Sequence, residues 1–352
     1  MSTASRTTAV IAAAVLVAIL ATAAQGRQSA GIYTVHPLVA DTTGGATTDA
    51  SLVNAWGLSA GPTTPWWSAN NGTNTSTLYS GTGAKVALTV NVAGAPTGTV
   101  FNGNAADFVV SENGKSGAAR FLFATEGGTI LGWTPAVDGA NAVVGATTAG
   151  AVYKGLAVAS DRLYATDFHN GRVDVFDASF KPVMTSGGFK DAKVAKGFAP
   201  FGIQALGGSI FVTFAKQDAA KKDDVAVPGQ AYVDEFTTDG ALVRRVVNSG
   251  KKNAPLNAPW GLAMAPADFG SFAGDLLVGN FGNGRISAYA QNGSTWVYKG
   301  QLRLADGTPI AIDGLWAIAF GNGAAAGPTN TLYFLSGPGD EKHGLYGSIT
   351  AG

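Results

Sequence analysis

Residues 259–263 (PWGLA), 276–280 (LLVGN) and 284–289 (GRISAY) form the stretch that decides the fold, because the same three-part pattern recurs along the chain. Each unit begins with an aromatic or glycine-marked strand and continues with a fully apolar strand. After a glycine turn, an alternating strand ends the unit on an aromatic residue. Fuller copies lie at 153–176, 200–236 and 313–349, and partial copies at 54–59 and 121–133. Repeats of this kind are typical of an all-β propeller, in which each repeat forms one four-stranded blade.

The spacing of the repeat predicts a six-bladed β-propeller. Gly57 and Gly155 are 98 positions apart, which leaves room for two units, whereas Gly155 and Gly202 are 47 apart and Gly202 and Gly261 are 59 apart. Blades usually take ~40–50 residues, so the longer spacing implies an insertion. We place it at the polar stretch 216–230, either as a lid or as a disordered charged excursion.

The two ends of the chain support the same count. The last unit supplies three strands, and residues 32–39 supply a spare strand. We expect this N-terminal strand to pair as the outer strand of the last blade, which would close the ring and cover an exposed edge. The alternatives are a seven-bladed ring, if 102–110 begins a separate blade, and a β-sandwich.

Composition excludes several functions. The 352 residues contain 23 basic and 23 acidic side chains, so the formal net charge is zero, and no basic stripe could neutralise a nucleic acid. The chain has no cysteine, which excludes disulfides, thiolate metal sites and a cysteine nucleophile. We expect a protein that binds no nucleic acid and is a monomer.

The first 24 residues have the pattern of a secretory signal peptide. Arg6 supplies the positive charge, residues 9–20 are apolar, and residues 21–23 are small, as a cleavage site requires. The apolar run is shorter than the ~20 residues that span a bilayer. We therefore expect export to the periplasm or the medium, with one propeller domain over 25–352 and no membrane span in the mature chain.

Five runs carry a resemblance to known proteins: 52–58 (LVNAWGL), 151–157 (AVYKGLA), 213–218 (TFAKQD), 312–316 (IDGLW) and 340–344 (DEKHG). They are similar to an uncharacterised bacterial family of exported, NHL-like six-bladed propellers. The resemblance covers nearly the whole mature chain and implies the fold and export, but no established activity. Some members of that family end in a C-terminal exosortase-type sorting signal, and this chain up to Gly352 contains none.

The turns between the second and third strands of the blades are expected to gather around one mouth of the central channel. Nearly all of these predicted turns are polar. A small molecule, glycan, peptide or protein ligand would find hydrogen-bonding side chains there. The predicted substrate-binding residues are Asn70, Asn71, Lys216, Gln217, Asp218 and Asn280.

The same turns contain groups that could hold a metal ion or transfer protons. Carboxylate oxygens suit Ca²⁺ or another divalent cation, and the predicted metal ligands are Glu126, Asp167, Asp340 and Glu341. Histidine titrates near neutral pH, and the predicted catalytic residues are His343, Asp340 and His169. Asx residues also suit tight hairpins, so a purely structural role for these turns stays open.

Three functions follow, in order of preference. The first is an exported propeller that binds a ligand at its polar mouth. The second is a metal-dependent, calcium-type hydrolase or lactonase that uses the same loops. The third is a structural protein of the envelope or matrix. In all three, we expect Trp56, Trp260 and Trp316 to pack between blades. We expect the same of Trp66 and Trp67, with a carbohydrate-stacking platform as the alternative.

Overall fold

The structure is a computed structural model that describes residues 31–248 and 255–352. Within these ranges the chain consists of β-strands and connecting loops, with two short 3₁₀ turns at Asn71–Thr73 and Gly270–Phe272. The predicted signal peptide lies outside the described residues. None of the helical segments in the described part has the length and apolar character that crossing a membrane requires.

The strands are numbered in chain order. They are β1 (Tyr33–Ala40), β2 (Thr47–Thr48), β3 (Ala55–Ser59), β4 (Trp66–Asn70), β5 (Thr75–Tyr79), β6 (Lys85–Asn91), β7 (Pro96–Phe101), β8 (Val109–Glu112), β9 (Lys115–Ala118), β10 (Phe121–Thr125), β11 (Thr129–Thr134), β12 (Asp138–Thr147), β13 (Tyr153–Ala159) and β14 (Arg162–Asp167). The remainder are β15 (Arg172–Phe176), β16 (Phe198–Leu206), β17 (Ser209–Gln217), β18 (Asp224–Val225), β19 (Tyr232–Phe236), β20 (Leu242–Val247), β21 (Pro259–Met264), β22 (Leu276–Asn280), β23 (Ile286–Asn292), β24 (Thr295–Gln301), β25 (Leu315–Phe320), β26 (Leu332–Ser336) and β27 (Leu345–Ala351).

Consecutive strands pair as antiparallel meanders. The sheets run β13-β14-β15, β16-β17-β19-β20 and β21-β22-β23-β24, and a further sheet runs β25-β26-β27-β1-β2. The meanders β3-β4-β5-β6 and β7-β10-β11-β12 join through one parallel pair between Asn91 and Asn141 and count as one eight-stranded sheet. Strands β8 and β9 form a separate hairpin inserted between β7 and β10. The segment 102–110 therefore leads into a small insertion in the β7 meander.

The N-terminal strand pairs with the C-terminal one. β1 lies antiparallel to β27, with partners from Tyr33 and Ala351 to Ala40 and Leu345. The register shifts between Pro37 and Val39. Proline has no N–H to donate, so an outermost position tolerates it. This pairing joins the two ends of the described chain in one sheet.

The first strand of each meander lies innermost, and these strands contact one another in chain order. β3 contacts β7, β7 contacts β13, and the series continues through β16, β21 and β25 back to β3. The sheets are therefore arranged around an axis, as in a β-propeller. Apolar clusters fill the spaces between neighbouring sheets: one contains Val100, Leu156 and Leu163, another Leu277, Leu315 and Phe334.

Glycines permit the close approach of the innermost strands. A Cβ added at Gly202 would lie 2.0 Å from the carbonyl oxygen of Trp260, and one at Gly98 would lie 2.3 Å from the amide nitrogen of Leu156. Contacts this short are sterically forbidden, so only glycine fits at these positions. The repeated glycine of the sequence pattern therefore marks where one inner strand lies against the next.

Candidate functional site

The residue before each repeated glycine points into the centre of the ring. Trp56, Phe201 and Trp260 hold this position on β3, β16 and β21, and Trp316 holds the equivalent position on β25, where Ala317 replaces the glycine. The rings of Trp56 and Trp316 stack with centroids 3.5 Å apart, and Trp260 packs edge-on against both. The expectation that these three tryptophans pack between blades is wrong, because their strands converge on the axis and bring the rings together there.

Lys154 occupies the same position on β13 and is the charged member of this central set. Only 1% of its side chain is exposed. Its ammonium lies 4.9 Å from the centroid of the Trp56 ring, a cation–π contact. It also forms ion pairs with Glu126 at 2.5 Å and Asp223 at 2.9 Å. A lysine this deeply buried requires such partners, since an unpaired charge in an apolar interior is very costly.

These ion pairs keep Lys154 charged. Burial lowers the pKa of the Lys154 ammonium, but the negative charges of Glu126 and Asp223 outweigh that effect and raise the pKa above its ordinary value. The site therefore holds a fixed positive charge under the tryptophan-lined centre of the ring. A charged lysine is no nucleophile, which argues against Schiff-base chemistry at this residue.

More carboxylates surround Lys154 than one lysine can neutralise. Asp224 and Glu341 lie close enough to interact electrostatically with Lys154 and with each other. Burial raises the pKa of Asp224 to about 7, with Glu341 and Asp223 adding to the rise and Lys154 opposing it. Burial likewise raises the pKa of Glu341. Asp224 therefore titrates near neutral pH.

One oxygen of Asp224 has no donor. Its Oδ2 is buried and accepts no hydrogen bond from any other described residue; the N–H of Asp224 itself acts on this carboxyl group and lowers its pKa slightly. A buried carboxylate oxygen without a donor is costly unless a proton, a cation or a ligand supplies one. The surplus of carboxylates and this unsatisfied oxygen distinguish the cluster from a self-contained ion pair.

Asparagines hold the other carboxylates in place. Asn54 donates from Nδ2 to Glu341 Oε2 at 2.7 Å, and Asn71 donates from Nδ2 to Glu126 Oε2 at 3.0 Å. Trp316 donates from Nε1 to Asn54 Oδ1 at 3.1 Å, which ties this network to the aromatic centre. Asn54 and Glu341 both have positive φ, at 45° and 63°. Such backbone conformations in non-glycine residues often mark functional sites.

The insertion at 216–230 is a hairpin that covers the site. Strand β18 pairs antiparallel with the end of β17, with Gln217 opposite Asp224 and Lys216 opposite Val225. This pairing places Asp223 and Asp224 against Lys154. The Asp223 side chain is 62% exposed, so it separates the buried ammonium from solvent. Residues 216–230, the cover hairpin, thus lie over Lys154 in this conformation.

Of the predicted substrate-binding residues, Asn71 and Gln217 lie at this mouth. Gln217 donates to the carbonyl oxygen of Phe168 at 2.5 Å. Asn70 and Asn280 are fully buried; Asn70 bonds to Thr77 in its own hairpin, and Asn280 bonds to Arg285 in its own turn and to Asn257 before β21. Asp218 accepts backbone N–H groups inside the cover hairpin, and Lys216 is exposed.

The predicted catalytic residues each have partners of their own. His343 is half exposed and lies 2.9 Å from Asp41, to which its Nδ1 hydrogen-bonds. Asp340 is 96% exposed and its nearest ion-pair partner is Lys342 at 3.8 Å. The backbone oxygen of His169 accepts a hydrogen bond from Gln217.

The predicted metal ligands divide among three environments. Glu126 and Glu341 belong to the Lys154 cluster, Asp340 is exposed, and Asp167 is fully buried and accepts hydrogen bonds from Val152 and Asn170. In the described ranges, no three or more His, Cys, Asp or Glu residues form a group that could hold a metal ion. The four predicted ligands are therefore not brought together as one metal site in this arrangement.

The channel widens at its other end. A cavity of about 310 Å³ lies at the C-terminal ends of the inner strands, away from Lys154. Leu58, Ile203, Leu262 and Ile318 contribute to its walls, and Ser59 and Gln204 add polar groups. The sequence did not indicate it, because strand ends on neighbouring blades are far apart in the chain.

Sequence reasoning missed Lys154, Asn54, Asp223 and Asp224. The signal was available in part: Lys154 occupies a position where the other complete repeats have a large aromatic residue. A lysine at an aromatic position of a repeat is a departure that needs an explanation. The contribution of Asp223 and Asp224 could not be found without the pairing of β18 with β17.

Two comparisons with solved structures concern the fold. A streptogramin B lyase superposes with a TM-score of 0.52 at 11% identity, covering 91% of this chain and 97% of that one. The soluble aldose sugar dehydrogenase of Escherichia coli superposes with a TM-score of 0.51 at 12% identity, covering 91% and 100%. At these identities the likeness shows a propeller-type fold alone.

Proteins similar in sequence have a higher identity to this chain than these two structures do. No protein-family model matches the chain. Uncharacterized protein L690 of Acanthamoeba polyphaga mimivirus is 31% identical over 321 residues, which cover 86% of this chain and 81% of L690. Uncharacterized protein R648 of the same virus is 30% identical over 341 residues, which cover 92% of this chain and 81% of R648. The chain therefore belongs to the protein family that includes L690 and R648.

Proposed function

We propose that this protein is a ligand-binding propeller whose polar mouth, under the cover hairpin, binds a small cationic molecule. The observation that carries the proposal is the buried Asp224 oxygen that lacks a hydrogen-bond donor. An ammonium or guanidinium group would supply both the donor and the charge that this carboxylate needs.

The charges of the mouth favour a cation over an anion. Glu126, Asp223, Asp224 and Glu341 face a single lysine, so the cluster is negative once Asp224 ionises. A ligand carboxylate would be repelled by these groups, whereas a cation would be attracted. The aromatic rings below the mouth add a cation–π surface, since Trp56 already contacts the Lys154 ammonium.

Entry requires the cover hairpin to move. Asp223 forms an ion pair with Lys154 on the solvent side of the ammonium group. The hairpin pairs with β17 through only the two-residue strand β18. A short ladder of this kind opens at lower cost than a long one, since few hydrogen bonds are lost. We infer that the ligand reaches Asp224 when β18 separates from β17 and that the hairpin closes over it.

Titration calorimetry with argininamide and spermidine tests the proposal, with glucose and gluconate as neutral and anionic controls. Because the pKa of Asp224 is about 7, a bound cation should drive the release of its proton. We expect affinity to rise from about pH 6 to about pH 8 and proton release near pH 7. Asp224→Asn should weaken binding by about tenfold or more and remove the pH dependence.

Glu112→Gln is the matched control, because Glu112 is an exposed acid on the β8–β9 hairpin. It should bind cations as the wild type does. Equal binding of cations by wild type and Asp224→Asn, or tighter binding of gluconate than of argininamide, would contradict the proposal.

A second candidate is a hydrolase or lactonase that works by acid–base catalysis at the same mouth. Asp224 titrates near neutral pH and lies beside Glu341, whose pKa is also raised. Paired carboxyl groups with raised pKa values can donate and accept a proton in one turnover. A screen of lactones and esters would show a rate that depends on a group with a pKa near 7 and is lost in Asp224→Asn. A rate that survives this substitution would exclude the candidate.

We also infer six blades and export. The inner strands β3, β7, β13, β16, β21 and β25 supply one first strand for each predicted blade. The positive charge of Arg6 and the apolar run 9–20 are typical of a signal peptide. They support export, as expected for the NHL-like propellers that the chain resembles. N-terminal sequencing of the protein recovered from the periplasm or medium tests export: a mature N-terminus near residue 25 is expected, and an intact Met1 would contradict it.

A further inference from the structure

β15 is the open edge of the smallest sheet that contains an inner strand. The sheet runs β13-β14-β15, whereas the other sheets with inner strands have four or more strands. β15 pairs with β14 along its full length, from Arg172 opposite Asp167 to Phe176 opposite Leu163. On its outer side only its end is paired, where Val183 donates from its amide to the Val175 carbonyl oxygen at 2.8 Å.

The rest of that outer edge has no strand paired with it among the described residues. Backbone groups of alternate residues in an antiparallel strand point to the same side. Because the Val175 carbonyl points outward, the N–H and C=O of Val173 also point outward, and among the described residues no strand pairs with them. Natural proteins usually cover such an edge, since it templates the addition of another strand.

A groove runs beside this edge. A cavity of about 480 Å³ lies against β15 and the segment 182–190, and its apolar lining includes Val173, Val175, Phe176, Pro182 and Met184. Met184 is 98% exposed, far more than any other large apolar side chain in the described ranges. An exposed, flexible methionine at the edge of an apolar groove is typical of surfaces that adapt to a peptide.

The rim of the groove is positively charged. Lys190 lines the cavity, and Lys181, Lys193 and Lys196 are exposed in the same connection between β15 and β16. None of the four forms an ion pair among the described residues. The connection has two acidic residues: Asp191 is bound by Arg245, and Asp177 accepts the backbone N–H groups of Ser179 and Lys181, which leaves four lysines against one carboxylate without an ion pair. The rim therefore has uncompensated positive charge.

We propose that β15 and this groove bind an extended peptide segment of a partner protein, which adds to the sheet as its fourth strand. The peptide's backbone pairs with Val173, its apolar side chains enter the groove beside Met184, and its acidic side chains contact Lys190 and Lys181. Side chains of a strand alternate between faces, so the segment recognised alternates acidic and apolar residues.

Selection from a displayed library of random twelve-residue peptides tests this. The wild type is the target, and Met184→Glu/Lys190→Glu is the counter-target, because both side chains are exposed and their replacement should leave the fold intact. Enriched peptides should alternate acidic and apolar residues and, when synthesised, bind the wild type with Kd of about 10 μM or tighter. The double variant should weaken binding by about tenfold or more.

Val297→Glu/Lys299→Glu is the matched control, because it makes the same change in charge on β24, an exposed strand of another sheet. It should bind the peptides as the wild type does. Methylation of the peptide amides that face Val173 should abolish binding, since these hydrogen bonds carry the recognition.

Four results would overturn the proposal. They are the absence of peptides enriched over the counter-target, equal binding to the Met184→Glu/Lys190→Glu variant, indifference to amide methylation, and a dimer of the protein alone that this variant abolishes. The last result would show that a second copy of the chain occupies the edge.

Discussion

Replacing Lys154 by methionine tests whether the mouth is an electrostatic cluster. The substitution keeps a long apolar side chain but removes the charge that Glu126 and Asp223 face. Removal of one member of a buried ion pair typically costs about 3–5 kcal/mol, because the remaining charges are uncompensated. For a chain of this size we expect the Tm to fall by roughly 6–10 °C at about pH 8.

The loss should depend on pH in a defined direction. Lys154 holds down the pKa values of Asp224 and Glu341, both of which lie above their ordinary values even so. Without the lysine these pKa values rise further above those of the unfolded chain. Folding then takes up protons, so the variant gains stability as the pH falls and loses it as the pH rises through the folded pKa. The deficit relative to wild type should therefore be largest at about pH 8 and smallest at about pH 5.

Thermal melts at both pH values give the measurement, with Lys193→Met as the control for loss of an exposed lysine. The double variant Lys154→Met/Glu126→Gln should recover at least ~1 kcal/mol of the loss, because it removes one of the stranded carboxylates. A deficit that is equal at both pH values and unchanged by Glu126→Gln would show that Lys154 acts through packing alone, and would refute the electrostatic account.

Three further perturbations follow from the same structure. Asp224→Asn should raise the stability at about pH 8 by up to ~4 kcal/mol and have little effect at about pH 4, since a folded pKa of about 7 destabilises the ionised form; denaturant melts that show a loss at pH 8 would contradict this. Gly202→Ala should cost ~3 kcal/mol or more because its Cβ would lie 2.0 Å from the Trp260 oxygen, and an unchanged Tm would refute the close approach. Deletion of residues 31–40 exposes the edge of β27 and removes buried Tyr33, so a truncated chain that melts cooperatively at the wild-type temperature would contradict the role of β1.

The β-strands and their repeat could be predicted from the sequence, because they depend on residues that are close together in the chain. A run such as Leu276–Asn280 is apolar at nearly every position since neighbouring sheets cover both of its faces. The repeated glycine, as at Gly202, reflects a steric requirement that no other residue meets. The cover hairpin also left a local signal, a long spacing filled with polar residues between Gly202 and Gly261.

The site depended on distances in space that the chain does not encode locally. Asn54 and Glu341 are 287 positions apart and hydrogen-bonded, and the central tryptophans meet only because their strands converge on one axis. Sequence reasoning therefore predicted the polar turns as places where ligands could bind, but it could not tell which turn residues satisfy their own hairpins, as Asp167 and Asn280 do. By itself the sequence determined an all-β repeat with a polar end, because periodicity and glycine sterics act between near neighbours. Only the tertiary structure decided that Lys154 lies buried among carboxylates, because burial and charge pairing arise when the ring brings distant strands together.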